Sequence, residues 1–321
     1  QKLASSDIVA GDYFGRCSAI SGDTVVVGAY GDDHNYSSAG AAYVFTRSGT
    51  TWTQKAKLTA SDAQADDYFG FRTAIDGDTV LVGAYSEDTG GSNAGAAYIF
   101  TRSGTTWSQQ QKLTASDATQ ADYFGIGSAI SGDTVVVGAY SEDSGGSWAG
   151  AAYIYTRSGT TWSEQAKLTA SDAQAGDYFG VHVAISGNTV VVGAWGEDTG
   201  GSQSGAAYVF TRSGTTWTQQ QKLTASDGAA NDNFGNTVAI DVSTAPATVV
   251  VGATGAGSGV GAAYVFTRNG TTWTQKAKLT SSSADHFGSA VGIDDDVIIV
   301  GDSSDDTGAT NKGAATFFIG S

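Results

Sequence analysis

The pair Phe-Gly recurs at Phe14-Gly15, Phe69-Gly70, Phe124-Gly125, Phe179-Gly180, Phe234-Gly235 and Phe287-Gly288, at intervals of 55, 55, 55, 55 and 53 residues. A fixed period of this length marks an array of one supersecondary unit that buries its faces only against its neighbours. Between the marks the same four apolar stretches return. In the second unit they cover residues 69–75, 79–85, 95–102 and 106–113, each of strand length and rich in β-branched and aromatic residues. Asp76-Gly77-Asp78, the longer stretch 86–94 and Ser103-Gly104-Thr105 separate them, carrying the Gly, Asp and Ser that reversals need. Each unit therefore reads as four antiparallel strands. One such sheet cannot bury both faces, and helix-free units of this period stack radially as blades. The predicted fold is all-β: a six-bladed β-propeller of four-stranded antiparallel blades, one domain over residues 1–321.

Within a blade the first strand is placed innermost, because Ala-Ile closes it in five units (Ala19-Ile20, Ala74-Ile75, Ala129-Ile130, Ala184-Ile185, Ala239-Ile240) and small residues suit a crowded axis. The Val-rich second strand, as in Val25-Val26-Val27-Gly28-Ala29, reads as buried on both sides. The fourth carries Gln and Lys, as in Gln109-Gln110-Gln111-Lys112, and forms a charged outer edge that resists pairing with another chain. The sixth unit stops after its third strand, whereas Gln1-Lys2-Leu3 matches the end of a fourth strand at Gln111-Lys112-Leu113. The N-terminal segment is thus expected to close the last blade.

Composition narrows function. Forty per cent apolar residues exclude general disorder, and 45 Gly with one Pro suit short strands and many turns. A formal charge of -16 opposes nucleic acid or anionic membrane as partner. No stretch approaches the ~20 consecutive apolar residues of a membrane span, so insertion is not expected. Cys17 stands alone and forms no intramolecular disulfide. A chain that begins at Gln1 and has no Met points to processing and export, hence to an extracellular or cell-surface location.

The run from Asp67-Tyr68-Phe69-Gly70 through Gly83-Ala84-Tyr85 to Gly95-Ala96-Ala97-Tyr98 resembles the FG-GAP repeat, the blade unit of integrin α-subunit propellers and of many bacterial surface and secreted proteins. The resemblance covers nearly the whole chain, in the bacterial form of the repeat. It implies a propeller used for adhesion or ligand recognition, with no catalytic residues to carry over. It also raises calcium, because integrin-type repeats place an Asp-rich loop between strands one and two. Here that connection is only Ser21-Gly22-Asp23 or its equivalents, too few oxygens for such a site.

Strand alternation sends connections one-two and three-four to one face of the disk and the others to the opposite face. Of the 32 acidic residues, 23 fall in the second set, while Arg47, Arg102, Arg157, Arg212 and Arg268 end the third strands on the first. On the acidic face Asp62, Asp66, Glu87 and Asp88 are the candidate ligands for a divalent cation such as Ca2+, set against their ordinary roles in solubility and turn chemistry. Ligand contacts are sought where the repeats stop agreeing. After Phe-Gly the first strands differ, and Arg16, Arg72 and His182 are the bases there, with Lys312 in a nearby loop. Tyr36, Trp148 and Trp195 add aromatic contact surface, and Trp148 is the leading candidate because it interrupts a Gly-Ser loop.

Catalysis is disfavoured. The turn Arg102-Ser103-Gly104-Thr105-Thr106-Trp107 faintly resembles the Asp-box of sialidase propellers but lacks its Asp, and two arginines without an axial Glu do not make a glycosidase centre. Three histidines show no metal-ligand spacing. The chain therefore reads as a non-enzymatic binding or adhesion module recognising a protein or carbohydrate through its acidic face. The alternative is a structural unit of a larger surface assembly, built through self-association or neighbouring domains.

Overall fold

A computed structural model of the chain describes residues 1–281, 286–303 and 313–319. The protein is an all-β six-bladed propeller, with sheet order first-second-third-fourth strand in every four-stranded blade. Blade two comprises Arg72–Asp76, Thr79–Ala84, Ala96–Ser103 and Thr106–Leu113. The middle strands match their expected bounds almost residue for residue. The first begins three residues late, because Phe69 pairs away from its own sheet, in a parallel bridge with Gly40 of blade one.

Through-space contacts divide the chain into two compact units, Gln1–Glu142 with Tyr153–Lys167, and Asp143–Ala152 with Leu168–Ser321. The first contains blades one and two and most of blade three, and the second the rest of blade three with blades four to six. In each unit the core lies between blades. Val26, Val44 and Leu58 of blade one pack on Phe69, Val80, Val82 and Tyr98 of blade two. Val191, Val209 and Leu223 of blade four pack likewise on Phe234, Val249, Val251 and Tyr264 of blade five. The second strand of blade two, Thr79–Ala84, is buried at all six positions, whereas Thr106–Leu113 alternates towards solvent as an outer edge should. A register shift between Ile99 and Phe100 kinks that edge and blunts its pairing surface.

The Phe-Gly pair is the joint between blades. Phe69 is fully buried and sets its ring edge-on to Tyr98 at 5.5 Å and Phe100 at 5.9 Å. Its N–H donates to Ala39 O of blade one at 3.0 Å, while Gly70 N–H donates to Gly83 O of its own blade at 3.0 Å. Gly70 has φ +91, a region that L side chains rarely adopt, and its carbonyl lies against Gly28 so closely that a β-carbon at Gly28 would sit 2.0 Å away. Gly83 meets the Gly125 carbonyl in the same way, at 2.1 Å from a notional β-carbon. Two backbones in contact leave room for nothing but hydrogen.

The last blade consists of Phe287–Asp294, Val297–Asp302 and Ala314–Ile319, three strands among the described residues, and the N-terminal segment forms no strand. Gln1 nevertheless occupies the station of an outer-strand residue. Its Oε1 accepts from Trp52 N–H at 2.9 Å and its Nε2 donates to Trp52 O at 3.1 Å. Gln111 makes the same pair with Trp162 at 2.8 and 2.7 Å, as does Gln221 with Trp273 at 2.7 and 2.8 Å. The matching sequence therefore reproduces the lateral contact without forming a strand.

Replacing Gly83 by Ala is expected to force the Gly125 carbonyl aside and cost about 3 kcal/mol as an overpacked contact. In a thermal melt this reads as a loss of at least about 6 °C.

Candidate functional site

The residue before each Phe-Gly is held in left-handed backbone, and in four of the six it is a tyrosine, with φ of 54 at Tyr13, 55 at Tyr68, 56 at Tyr123 and 56 at Tyr178. That turn brings each ring over the aromatic residue that ends a second strand. Tyr13 stacks on Tyr30 at 4.7 Å, Tyr68 on Tyr85 at 5.4 Å, Tyr123 on Tyr140 at 5.4 Å and Tyr178 on Trp195 at 4.5 Å. Tyr85, Tyr140 and Trp195 are thus recurrent packing positions, each covered by a tyrosine that reads from sequence as part of the blade joint alone.

Trp148 extends one of these pairs. It lies in the loop between Asp143 and Gly150, with its N–H donating to Asp143 Oδ1 at 2.8 Å and its ring 5.9 Å from Tyr178. The three rings Trp148, Tyr178 and Trp195 form a continuous stack whose outer member is 52% exposed. The equivalent loop residues Ser38, Asn93 and Gln203 share its left-handed backbone, with φ of 50, 56 and 54 against 60 at Trp148. Small or polar residues tolerate that conformation best, so a bulky Trp there carries backbone strain of about 1 kcal/mol. Tyr36 is also exposed, at 55%, in the corresponding loop of blade one. His182 is half-buried, and its Nδ1 accepts from Val238 N–H at 3.5 Å, a contact between blades four and five.

Arg16 and Arg72 both approach Phe71, their guanidinium carbons 5.2 and 5.3 Å from the ring centroid. Arg72 Nε donates to Ile126 O at 3.1 Å. Burial first, and then the Arg16 charge, push the Arg72 pKa down to about 10.

Two of the four carboxylates nominated for a cation, Asp62 and Glu87, are arranged around an ammonium group. Lys112 Nζ meets Asp62 Oδ2 at 2.6 Å and Glu87 Oε1 at 2.8 Å, and Tyr98 Oη donates to Asp62 Oδ1 at 2.9 Å. Lys112 brings the positive charge that a bound metal would have brought. Asp88 Oδ1 accepts from Asn93 N–H at 2.7 Å and shapes its own loop, while Asp66 is exposed with φ 64. Burial alone would raise the Asp62 carboxyl, but hydrogen bonds from Lys112 and Tyr98 outweigh it and hold it below the usual carboxylate range. Asp67 lacks a cationic contact: burial, with the Glu87 and Asp62 charges nearby, raises it to about 6 against a hydrogen bond from Gln64 N–H. The same constellation recurs with Lys57, Asp7 and Asp32, with Lys167, Asp117 and Glu142, and with Lys222, Asp172 and Glu197. Its sequence signal is the in-register recurrence of these lysines with their carboxylates, which reading the lysine as edge decoration conceals.

Among the described residues, Asp241, Asp294 and Asp295 bring three carboxylate oxygens within 4.8 Å of one another. Asp241 already accepts from Ser243 and Asp295 N–H groups at 2.7 and 2.9 Å. Asp285, Asp305, Asp306 and Lys312, part of the charge pattern above, lie outside the described residues.

The FG-GAP repeat family matches residues 1–45, 52–100, 107–155, 162–210, 217–266 and 273–318, and the chain belongs to that family. Each matched segment after the first runs from the fourth strand of one blade to the third strand of the next. No curated protein is detectably similar in sequence. A crystal structure of a protein from Lactobacillus plantarum is similar with a TM-score of 0.64 and 17% identity, over 95% of this chain and 80% of that one, a likeness of fold.

Replacing Lys112 by Met would leave Glu87, 1% exposed, as a buried carboxylate without a counter-charge, held only by the hydrogen bonds that Thr89 donates. The expected cost in a denaturant titration is about 3 kcal/mol, with restoration by Arg.

Proposed function

We propose that this FG-GAP repeat propeller is a non-catalytic recognition module, acting outside the cell, that engages a protein or glycan through the loop face carrying Trp148. The stack of Trp148 on Tyr178 and Trp195 carries this reading. It presents a large apolar ring to solvent on a rigid backing, so little side-chain freedom is lost on contact. The polar residues at equivalent loop positions meet the conformational demand of the loop, so Trp at that site serves something other than folding. Trp148→Asn is expected to leave the melting temperature unchanged or slightly higher, and to abolish capture of the partner found by glycan array or surface pulldown with the native chain. Undiminished capture by the variant would remove Trp148 from the contact.

A second reading, a unit of a larger assembly, is favoured by the last blade. Phe317 and Ile319 are 66% and 80% exposed, and Val297 and Ile299 of the neighbouring strand are also exposed. Among the described residues no strand covers this edge, and an apolar strand at a sheet edge is a site for lateral pairing. Phe317→Asp is expected to shift sedimentation towards the monomer if copies associate there, whereas an unchanged, already monomeric distribution would remove self-association.

A further inference from the structure

The charge pattern makes Arg16 and Arg72 anomalous. Arg47, Arg102 and Arg157 each pair with a turn carboxylate, Asp23, Asp78 and Asp133. The lysines of four outer strands each hold two carboxylates. Arg16 and Arg72 hold none among the described residues, in a chain with 32 acidic residues against 16 basic ones. Two guanidinium groups instead flank one ring, Phe71, and Arg72 is half-buried with its Nε spent on a backbone carbonyl. Holding a half-buried guanidinium beside a second, exposed one without a counter-charge is costly unless an anion completes the site. The guanidinium groups have the forked donor geometry that a carboxylate accepts.

The surroundings restrict what bears that carboxylate. The Phe71 ring meets Tyr30 edge-on at 5.4 Å and Tyr85 edge-on at 4.6 Å, and Tyr13, stacked on Tyr30, is exposed on its outer side. These rings suit a ligand with a flat apolar face beside its charge. The net charge of -16 repels polyanions, acidic peptides included, but tolerates a single carboxylate on an otherwise neutral body. We propose that Arg16 and Arg72 form a receptor for the carboxylate of a uronic acid sugar, with the pyranose ring lying along the aromatic residues around Phe71. This second site uses none of the residues of the Trp148 stack.

A disaccharide of glucuronate and xylose, its carboxyl-reduced glucose counterpart and hexaglutamate are titrated into the whole chain by calorimetry and saturation-transfer NMR. Saturable binding of the acidic disaccharide is expected, at least about tenfold tighter than its neutral counterpart and weakening as salt is raised. Arg72→Gln and Arg16→Gln are each expected to weaken it by about tenfold or more. If Arg72→Gln loses its cooperative melt, the exposed Arg16 variant decides. The proposal is overturned by equal binding of the two disaccharides, by undiminished binding in Arg16→Gln, by tighter binding of hexaglutamate, or by no saturation up to about 10 mM disaccharide.

Discussion

Backbone meets backbone at the blade joints, and the rest of the architecture follows from that approach. Gly70 turns its carbonyl onto Gly28, Gly125 onto Gly83, and Gly235 onto Gly193, each at a distance that no β-carbon survives. With the main chains so close, the preceding phenylalanine has one direction to go, against the Tyr and Phe rings of its own blade's third strand, on the face that packs on the preceding blade. Within each unit the hydrophobic layer therefore lies between sheets, with both neighbouring blades contributing to it. Period, glycine placement and aromatic placement are three views of one steric condition, which is why the fold was legible from a dipeptide and its spacing.

Electrostatics were legible in bulk and illegible in detail. Loop position brings Asp62 and Glu87 together, and that proximity suggested a metal. In the structure the lysine of the outer strand reaches back over a tyrosine ring to collect one exposed aspartate and one buried acid. The partners are separated by 50 and 25 residues, Lys112 from Asp62 and from Glu87, so no local pattern joins them. The repeat itself was the available clue, because lysine, aspartate and glutamate return in step.

The candidate binding residues divide along the same line. Trp148 stood out because it broke the repeat, and the coordinates supply its reason for being rigid, the Tyr178 and Trp195 rings behind it. The four tyrosines with positive φ were missed as a class. Their backbone conformation is imposed by the joint that follows them, and nothing in a Tyr-Phe-Gly string announces a left-handed turn. Trp195 and His182 are half-buried, the first stacked on Tyr178 and the second accepting an inter-blade hydrogen bond from Val238.

The outer strands of blades one, two, four and five are almost the same sentence written four times: Thr51–Leu58, Thr106–Leu113, Thr216–Leu223 and Thr272–Leu279. A nascent third strand could therefore zip up with the wrong copy and find nearly every side chain acceptable. What discriminates is chain entropy: the reversal between Ser103 and Thr106 delivers the proper neighbour within nanoseconds to microseconds, long before a stranger one period away can arrive. Such near-synonymous repeats place the burden of fidelity on brevity of the hairpin, so lengthening that one reversal should invite exchange of strands between blades or between molecules.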